Sequence, residues 1–243
     1  MGLAFIGGFA QGGSLVATPL LGFGAESLWD SGSEFPNGIK ARGSPRLPIF
    51  QLPSSILNGG IVNMAAKKKK LSQAQLGRIK LFLCDVDGVL TDGSIFIGGE
   101  REFKRFNIRD GLGLVLARRA GLKVGWVSAR PSPATTLRAE ELKIDFLVQQ
   151  GDQMSKTAAV EQLLAREKLN WSDVCFVGDD IIDLGPLTRA GLAVAVGDGM
   201  PEAKAAAHWV TQAAGGRGAV REAVELILKA QAKWQPFLEH YAS

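Results

Sequence analysis

The sequence predicts an α/β fold: a Rossmann-like parallel sheet with helices on both faces. Three observations carry that expectation. Between residues 80 and 230, short apolar runs alternate with helix-patterned segments, the order of linked βαβ units. The runs 81–84, 124–127, 174–177 and 192–196 are apolar throughout, as strands buried on both faces are. Three of them end in residues with chemistry to offer: Asp85 and Asp87, then Ser128, then Asp179. Open α/β sheets bind their ligands beyond the carboxyl ends of the strands.

Composition narrows the class. Apolar residues make up 46% of the 243, enough for a globular core, and the net charge is +4. Much of that excess is the tract Lys67 to Lys70, which reads as the solvated start of a domain rather than a nucleic-acid surface. Cys84 and Cys175 both lie inside apolar runs, so they read as core residues of a reducing, cytoplasmic compartment. No apolar run is long enough to span a bilayer, so no membrane partner is expected. The two histidines, His208 and His240, lie far from the aspartates in sequence, which disfavours histidine-based catalysis. No Walker loop and no dinucleotide fingerprint is present.

Residues 1–63 are rich in Gly, Ser and Pro and lack a sustained period, so they read as a disordered or over-extended leader. Met64 opens a plausible enzyme start, and 64–243 is the expected catalytic domain. The first strand is 81–84, followed by the Asp85–Asp87 pair. On a strand, residues i and i+2 share a face, so the two carboxylates are expected to point the same way. Segments 94–97 and 100–107 flank Gly98-Gly99 and predict a β-hairpin flap beside those aspartates. Asp110-Gly111 leads into a helix with Leu112, Leu114, Val115, Leu116 and Ala120 on its apolar side, closed by Gly121.

The strand 124–127 ends at Ser128-Ala129-Arg130, where a hydroxyl can donate to a phosphoryl oxygen. A helix over 134–142 and a short strand over 146–148 follow. Lys156 opens the next helix, a position where its charge opposes the macrodipole unless an anion is near. The strand 174–177 leads to Asp179, Asp180 and Asp183, three acids that are costly to gather without a cation or a lysine. The last core strand is 192–196. Helices over 203–207 and from Ala219 to about Lys233 complete the pattern, with a short strand near Trp209.

Asp85, Asp87, Ser128, Lys156, Asp179 and Asp183 therefore fall at one end of one sheet. In order, they match the four motifs of the haloacid-dehalogenase-type phosphohydrolases. DVDGVLTDG, FNIRDG, VGDDIID and GGRGAVREAVELILKAQ together resemble the 3-deoxy-D-manno-octulosonate 8-phosphate phosphatase family over about 76–231. The resemblance implies a capless haloacid-dehalogenase-type core and hydrolysis of a small acidic sugar phosphate for lipopolysaccharide synthesis. It implies that Asp85 is the nucleophile and Asp87 the acid and base, with Ser128 and Lys156 on the phosphoryl group. It implies Mg²⁺ held by Asp85, the backbone carbonyl of Asp87 and Asp179, with Asp180 and Asp183 supporting. Arg109 and Arg130 are candidates for the sugar carboxylate and other substrate contacts. Ala129 departs from the family's glycine in the second motif. Neither gap between motifs has room for a cap domain. The hairpin's apolar residues are suited to a symmetric oligomer, and the resemblance implies a homotetramer whose flaps and tails wall in neighbouring sites. Two alternatives remain open: a phosphatase for a nonulosonate 9-phosphate, and a non-catalytic sugar-binding oligomeric module.

Overall fold

The computed structural model describes residues 71–99, 101–149, 151 and 155–243. The leader, Met64 and the lysine tract lie outside the described residues. The elements run α1 (Gln73–Gly77), β1 (Leu81–Cys84), β2 (Phe96–Gly98), β3 (Arg101–Phe103), α2 (Ile108–Arg119) and β4 (Lys123–Ser128). They continue with α3 (Pro133–Glu141), β5 (Phe146–Gln149), α4 (Lys156–Glu167), β6 (Val174–Gly178), α5 (Leu184–Leu187) and β7 (Leu192–Ala195). The chain closes with α6 (Pro201–Ala206), β8 (Trp209–Val210), α7 (Ala219–Ala230) and α8 (Gln235–Ala242).

Six strands form one parallel sheet in the order β5-β4-β1-β6-β7-β8. The first strand is thus central, and the sheet grows from it in both directions. The order reverses beside β1, which is where such sheets open a crevice at their carboxyl edge. Alternate residues of each strand feed two cores. Phe82, Cys84, Val124, Trp126, Cys175 and Val177 pack with Leu114, Val220, Val224 and Ile227 of α2 and α7. Leu81, Leu83, Val127, Val174 and Phe176 pack with Val160, Leu163, Leu187 and Ala203 of α4, α5 and α6. All four residues of β1 are fully buried. Each large one contributes roughly 1.5–3 kcal/mol by leaving water. Gly125 makes the pairing of β1 and β4 possible, since a β-carbon there would lie 2.7 Å from Leu83 Cδ2.

Several boundaries differ from the sequence reading. The hairpin strands are three residues each, and Asn107 belongs to a helix rather than to the second strand. Its side chain accepts the Arg109 N–H and starts α2 two residues before the expected Asp110-Gly111 entry. Leu112 consequently falls on the exposed side of α2, while Gly111 and Gly113 take the buried positions. Gly113 lets α7 approach closely, since a β-carbon there would lie 3.1 Å from Arg221 Cα. The tail helix α8 had no sequence signal of its own.

Candidate active site

β1 stops at Cys84, one residue short of the first aspartate. Asp85 keeps a backbone bond to Val177 O at 3.0 Å, and the chain then curls, with the Leu90 and Thr91 N–H groups both donating to Val86 O. Gly88, at φ +88, makes the curl possible. Asp85 and Asp87 therefore reach the same cavity through a turn, and the expected strand alternation does not place them. The cavity, about 250 Å³, is lined by Asp85, Asp87, Ser128, Arg130, Asp179 and Ile182, with Ala129 and Asp180 beside them.

The floor is a buried charge cluster. Lys156, the first residue of α4, places Nζ 2.8 Å from Asp85 Oδ2 and 2.8 Å from Asp183 Oδ1. These two carboxylates offset the unfavourable position of a lysine at a helix start. Asp85 Oδ1 accepts the Val86 N–H at 2.7 Å. Asp183 Oδ2 accepts the Asp179 N–H at 3.0 Å, so the turn after β6 closes on itself. Gly178 permits this, because a β-carbon would strike Asp183. Asp180 caps the same turn by accepting the Ile181 N–H. One ligand atom from each of Asp85, Asp179 and Asp183 lies within 4.8 Å of the other two.

Three carboxylates and one ammonium leave this floor with surplus negative charge. Burial, then Asp183, push the Asp85 carboxyl up to about 7, against the pull of Lys156. Burial, then Asp85 and Asp183, push Asp179 up to about 8. Burial alone would lower the Lys156 ammonium, but Asp85 and Asp183 outweigh it and hold it above its usual value. Asp179 Oδ1 is buried with no hydrogen-bond partner. A hard divalent cation fits this donor set, because it would satisfy that oxygen and cancel the surplus charge.

The roof comes from the hairpin. Lys104, just past β3, has a fully buried side chain. Its Nζ lies 2.8 Å from Asp87 Oδ1 and donates to Thr135 Oγ1 at 3.0 Å. Arg130 reaches Asp87 Oδ2 at 3.3 Å and also pairs with Glu102. Glu102 accepts from Ser132 Oγ at 2.8 Å. Asp87 is thus tied to the flap directly by Lys104 and indirectly by Arg130, which follows β4 and pairs with Glu102, while Asp85 is bound to the floor. Ser128 Oγ sits at the cavity wall, 3.1 Å from Arg130 O.

Of the residues singled out in the sequence, the cavity gathers Asp85, Asp87, Ser128, Arg130, Asp179 and Asp180. Lys156 and Asp183 lie directly beneath through their contacts with Asp85 and the Asp179 backbone. Arg109 is exposed at the start of α2 and does not line the cavity. Lys104 and Glu102 were missed. Their alternation with Phe103 was the available signal, since alternate strand residues share a face.

Known proteins match the chain at three levels. A model of the haloacid dehalogenase-like hydrolases matches residues 145–223. The 3-deoxy-D-manno-octulosonate 8-phosphate phosphatase of Yersinia pestis is 42% identical over 156 residues, 64% of this chain and 82% of that protein. Its counterpart from Escherichia coli K12 is 40% identical over 161 residues, 66% of this chain and 85% of the relative. Among solved structures, the 3-deoxy-D-manno-octulosonate 8-phosphate phosphatase of Moraxella catarrhalis, in complex with magnesium, phosphate and KDO, superposes with a TM-score of 0.67. It is 36% identical, and the match covers 70% of this chain and 97% of that one.

Proposed function

The chain belongs to the 3-deoxy-D-manno-octulosonate 8-phosphate phosphatase family of haloacid dehalogenase-like hydrolases, and from that premise we propose how its residues divide the work. It is a phosphomonoesterase that releases phosphate from 3-deoxy-D-manno-octulosonate 8-phosphate, with Mg²⁺ as cofactor. Asp85 is the nucleophile: a carboxylate oxygen attacks phosphorus, the bond to the sugar oxygen breaks, and an aspartyl-phosphate remains. Asp87 gives its proton to the departing sugar oxygen. It then takes a proton from the water that attacks the aspartyl-phosphate, restoring Asp85 and releasing phosphate. Lys104 and Arg130 hold Asp87 in place and stabilise the negative charge left when its proton departs. Ser128 and Lys156 donate to phosphoryl oxygens, where charge builds as the bonds exchange. Asp85, the Asp87 carbonyl and Asp179 would hold the Mg²⁺, with Asp180 and Asp183 fixing the loop that carries Asp179. The ion supplies Lewis-acid neutralisation of the phosphoryl charge.

The observation that supports this division is the partnerless Asp179 oxygen, buried beside Asp85 and above a lysine already shared by two carboxylates. Arg130 serves the substrate from within the chain. Arg109 lies outside the cavity, so its role at the sugar carboxylate requires a neighbouring copy. A homotetramer fits that requirement. The hairpin exposes Phe96, Ile97 and Phe103, an apolar surface suited to pairing between copies. No helix among the described residues is long and apolar enough to cross a membrane. The two free, buried cysteines suit a reducing compartment, and we place the catalytic domain, 64–243, in the cytoplasm.

The test is phosphate release with Mg²⁺ from the octulosonate 8-phosphate, a nonulosonate 9-phosphate and a hexose 6-phosphate. The octulosonate should be strongly preferred, and Asp85→Asn should lower turnover by at least about a thousand-fold. Preference for the nonulosonate would keep the residue roles and change the substrate. Equal turnover by Asp85→Asn would remove the nucleophile assignment.

A further inference from the structure

One buried carboxylate takes no part in the chemistry above. Asp110 lies in the first turn of α2, only 1% exposed, yet it caps a different helix. Its Oδ1 accepts the Arg221 N–H at 2.8 Å, and its Oδ2 accepts the Gly218 N–H at 3.0 Å. Gly218 is the N-cap residue of α7 and has no side chain to cap with. Asp110 thus satisfies two of the N–H groups that a helix start leaves unpaired. Asn107, at the start of the same α2, donates its Nδ2 to Gly216 O at 3.2 Å. The first turn of α2 therefore grips the 216–218 segment at both ends.

The inner side of that segment is pressed against the loop that carries the nucleophile. The Gly216 N–H donates to Val89 O at 2.8 Å. A β-carbon on Gly215 would lie 1.8 Å from Gly88 O, and one on Gly216 would lie 2.6 Å from the Thr91 carbonyl carbon. Gly88 is pressed in turn onto the metal-ligand candidate, where a β-carbon would lie 2.1 Å from Asp179 Oδ2. The 215–216 backbone packs directly on the 88–91 backbone, and Gly88 packs on the Asp179 side chain, so the three meet in series without a gap. Close-packed interiors transmit displacements across such contacts.

We infer that Asp110 is a positioning residue for the cation site: by clamping residues 216–218 it fixes the Gly88 turn, and through it the Asp87 carbonyl and the Asp179 carboxylate. The inference rests on the functional reading above. The competing account is that Asp110 only stabilises the start of α7. The two accounts differ in what a near-isosteric change does to metal affinity in folded protein. Asp110→Asn keeps the volume but removes the charge and one of the two acceptors.

The experiment titrates the full chain and its variant with Mn²⁺, followed by electron paramagnetic resonance. Phosphate release is measured in parallel against Mg²⁺ concentration, with thermal melts alongside. Asp110→Asn should stay folded at the assay temperature. Its Mn²⁺ affinity and its apparent Mg²⁺ activation should both weaken by about ten-fold or more, as for other residues that orient metal ligands. KM for the sugar phosphate at saturating Mg²⁺ should hold. Asn107→Asp keeps the N-cap of α2 but replaces the donor to Gly216 O with an anionic acceptor, which loosens that end of the grip. It should move both metal readouts the same way by less, and it carries the test alone if Asp110→Asn does not fold. Unchanged metal affinity and activation in the variants, with only a lower melting temperature, overturns the inference and leaves the functional reading standing. Failure of the unsubstituted chain to bind either metal overturns the functional reading and the inference together.

Discussion

The floor and the roof of the cavity are built in opposite ways. The floor hangs from the centre of a six-stranded sheet, and its charges are almost wholly buried. The roof is a two-stranded hairpin with three residues per strand and apolar side chains in solvent. A hairpin of that size is marginal by itself. It is held by the ion pairs that Lys104 and Arg130 make with Asp87 and Glu102. The difference teaches where precision is stored. Under the roles proposed above, the groups that meet phosphorus and a cation follow buried sheet strands, while the hairpin reaches the site only through the ion pairs of Lys104 and Glu102.

The largest effect that would test this contrast is removal of the Lys156 ammonium from the floor. Lys156→Met leaves Asp85 and Asp183 buried without a counter-charge. Losing one partner of a buried pair costs about 3–5 kcal/mol, readable in urea unfolding of the metal-free protein. A loss below about 1 kcal/mol, typical of exposed pairs, would mean that the floor is no more interdependent than the surface.

The second effect is pH-dependent. Asp85 and Asp179 have carboxyls raised to about 7 and about 8 in the folded chain, against 3.8 for the ordinary group. Between those values the folded state holds more protons than the unfolded one, so stability falls as pH rises. In metal-free protein the melting temperature should therefore drop from pH 5 towards pH 8. Mg²⁺ favours the ionised forms, so it should raise the melting temperature more at pH 8 than at pH 5.5. A metal-induced shift independent of pH would argue that the acidic cluster is not where the ion binds.

The smallest effect belongs to the roof. Lys104→Met should change stability by no more than about 1 kcal/mol, because Asp87 keeps Arg130 and is partly solvated. Turnover should fall more than stability does, since Asp87 loses its shortest contact. A destabilisation as large as that of Lys156→Met would erase the distinction between the two regions.

The same distinction explains what the sequence could disclose. The floor was legible because its acids cluster in short motifs directly after apolar runs. A reader needs only strand ends and charge cost to place Asp85, Asp179 and Asp183 together. The turn that carries Asp87 was less so: the strand stops at Cys84, and a backbone curl places Asp87. Lys104 was only half legible: alternation puts it on one face with Glu102, but its burial depends on the hairpin folding back over Thr135, a contact with no local signature. Asp110 read only as the lead into its own helix, since the N–H groups it caps begin 108 positions later. The helix start at Ile108 was missed for a related reason, as Asn107 fits a strand end and a cap equally well until its side-chain bond is known.

The central place of β1 also sets an order of events at the ribosome. β1 is the earliest strand of the sheet, yet its neighbour β6 is the fourth of the six to be made. Asp183 follows Asp85 by roughly a hundred residues, on the order of ten seconds of synthesis. Until then the nascent chain carries Asp85 and Asp87 without Asp179 or Asp183, and magnesium has nothing complete to bind. The metal can therefore stabilise only a polypeptide made past Asp183, and it contributes nothing to the folding of the earlier segments.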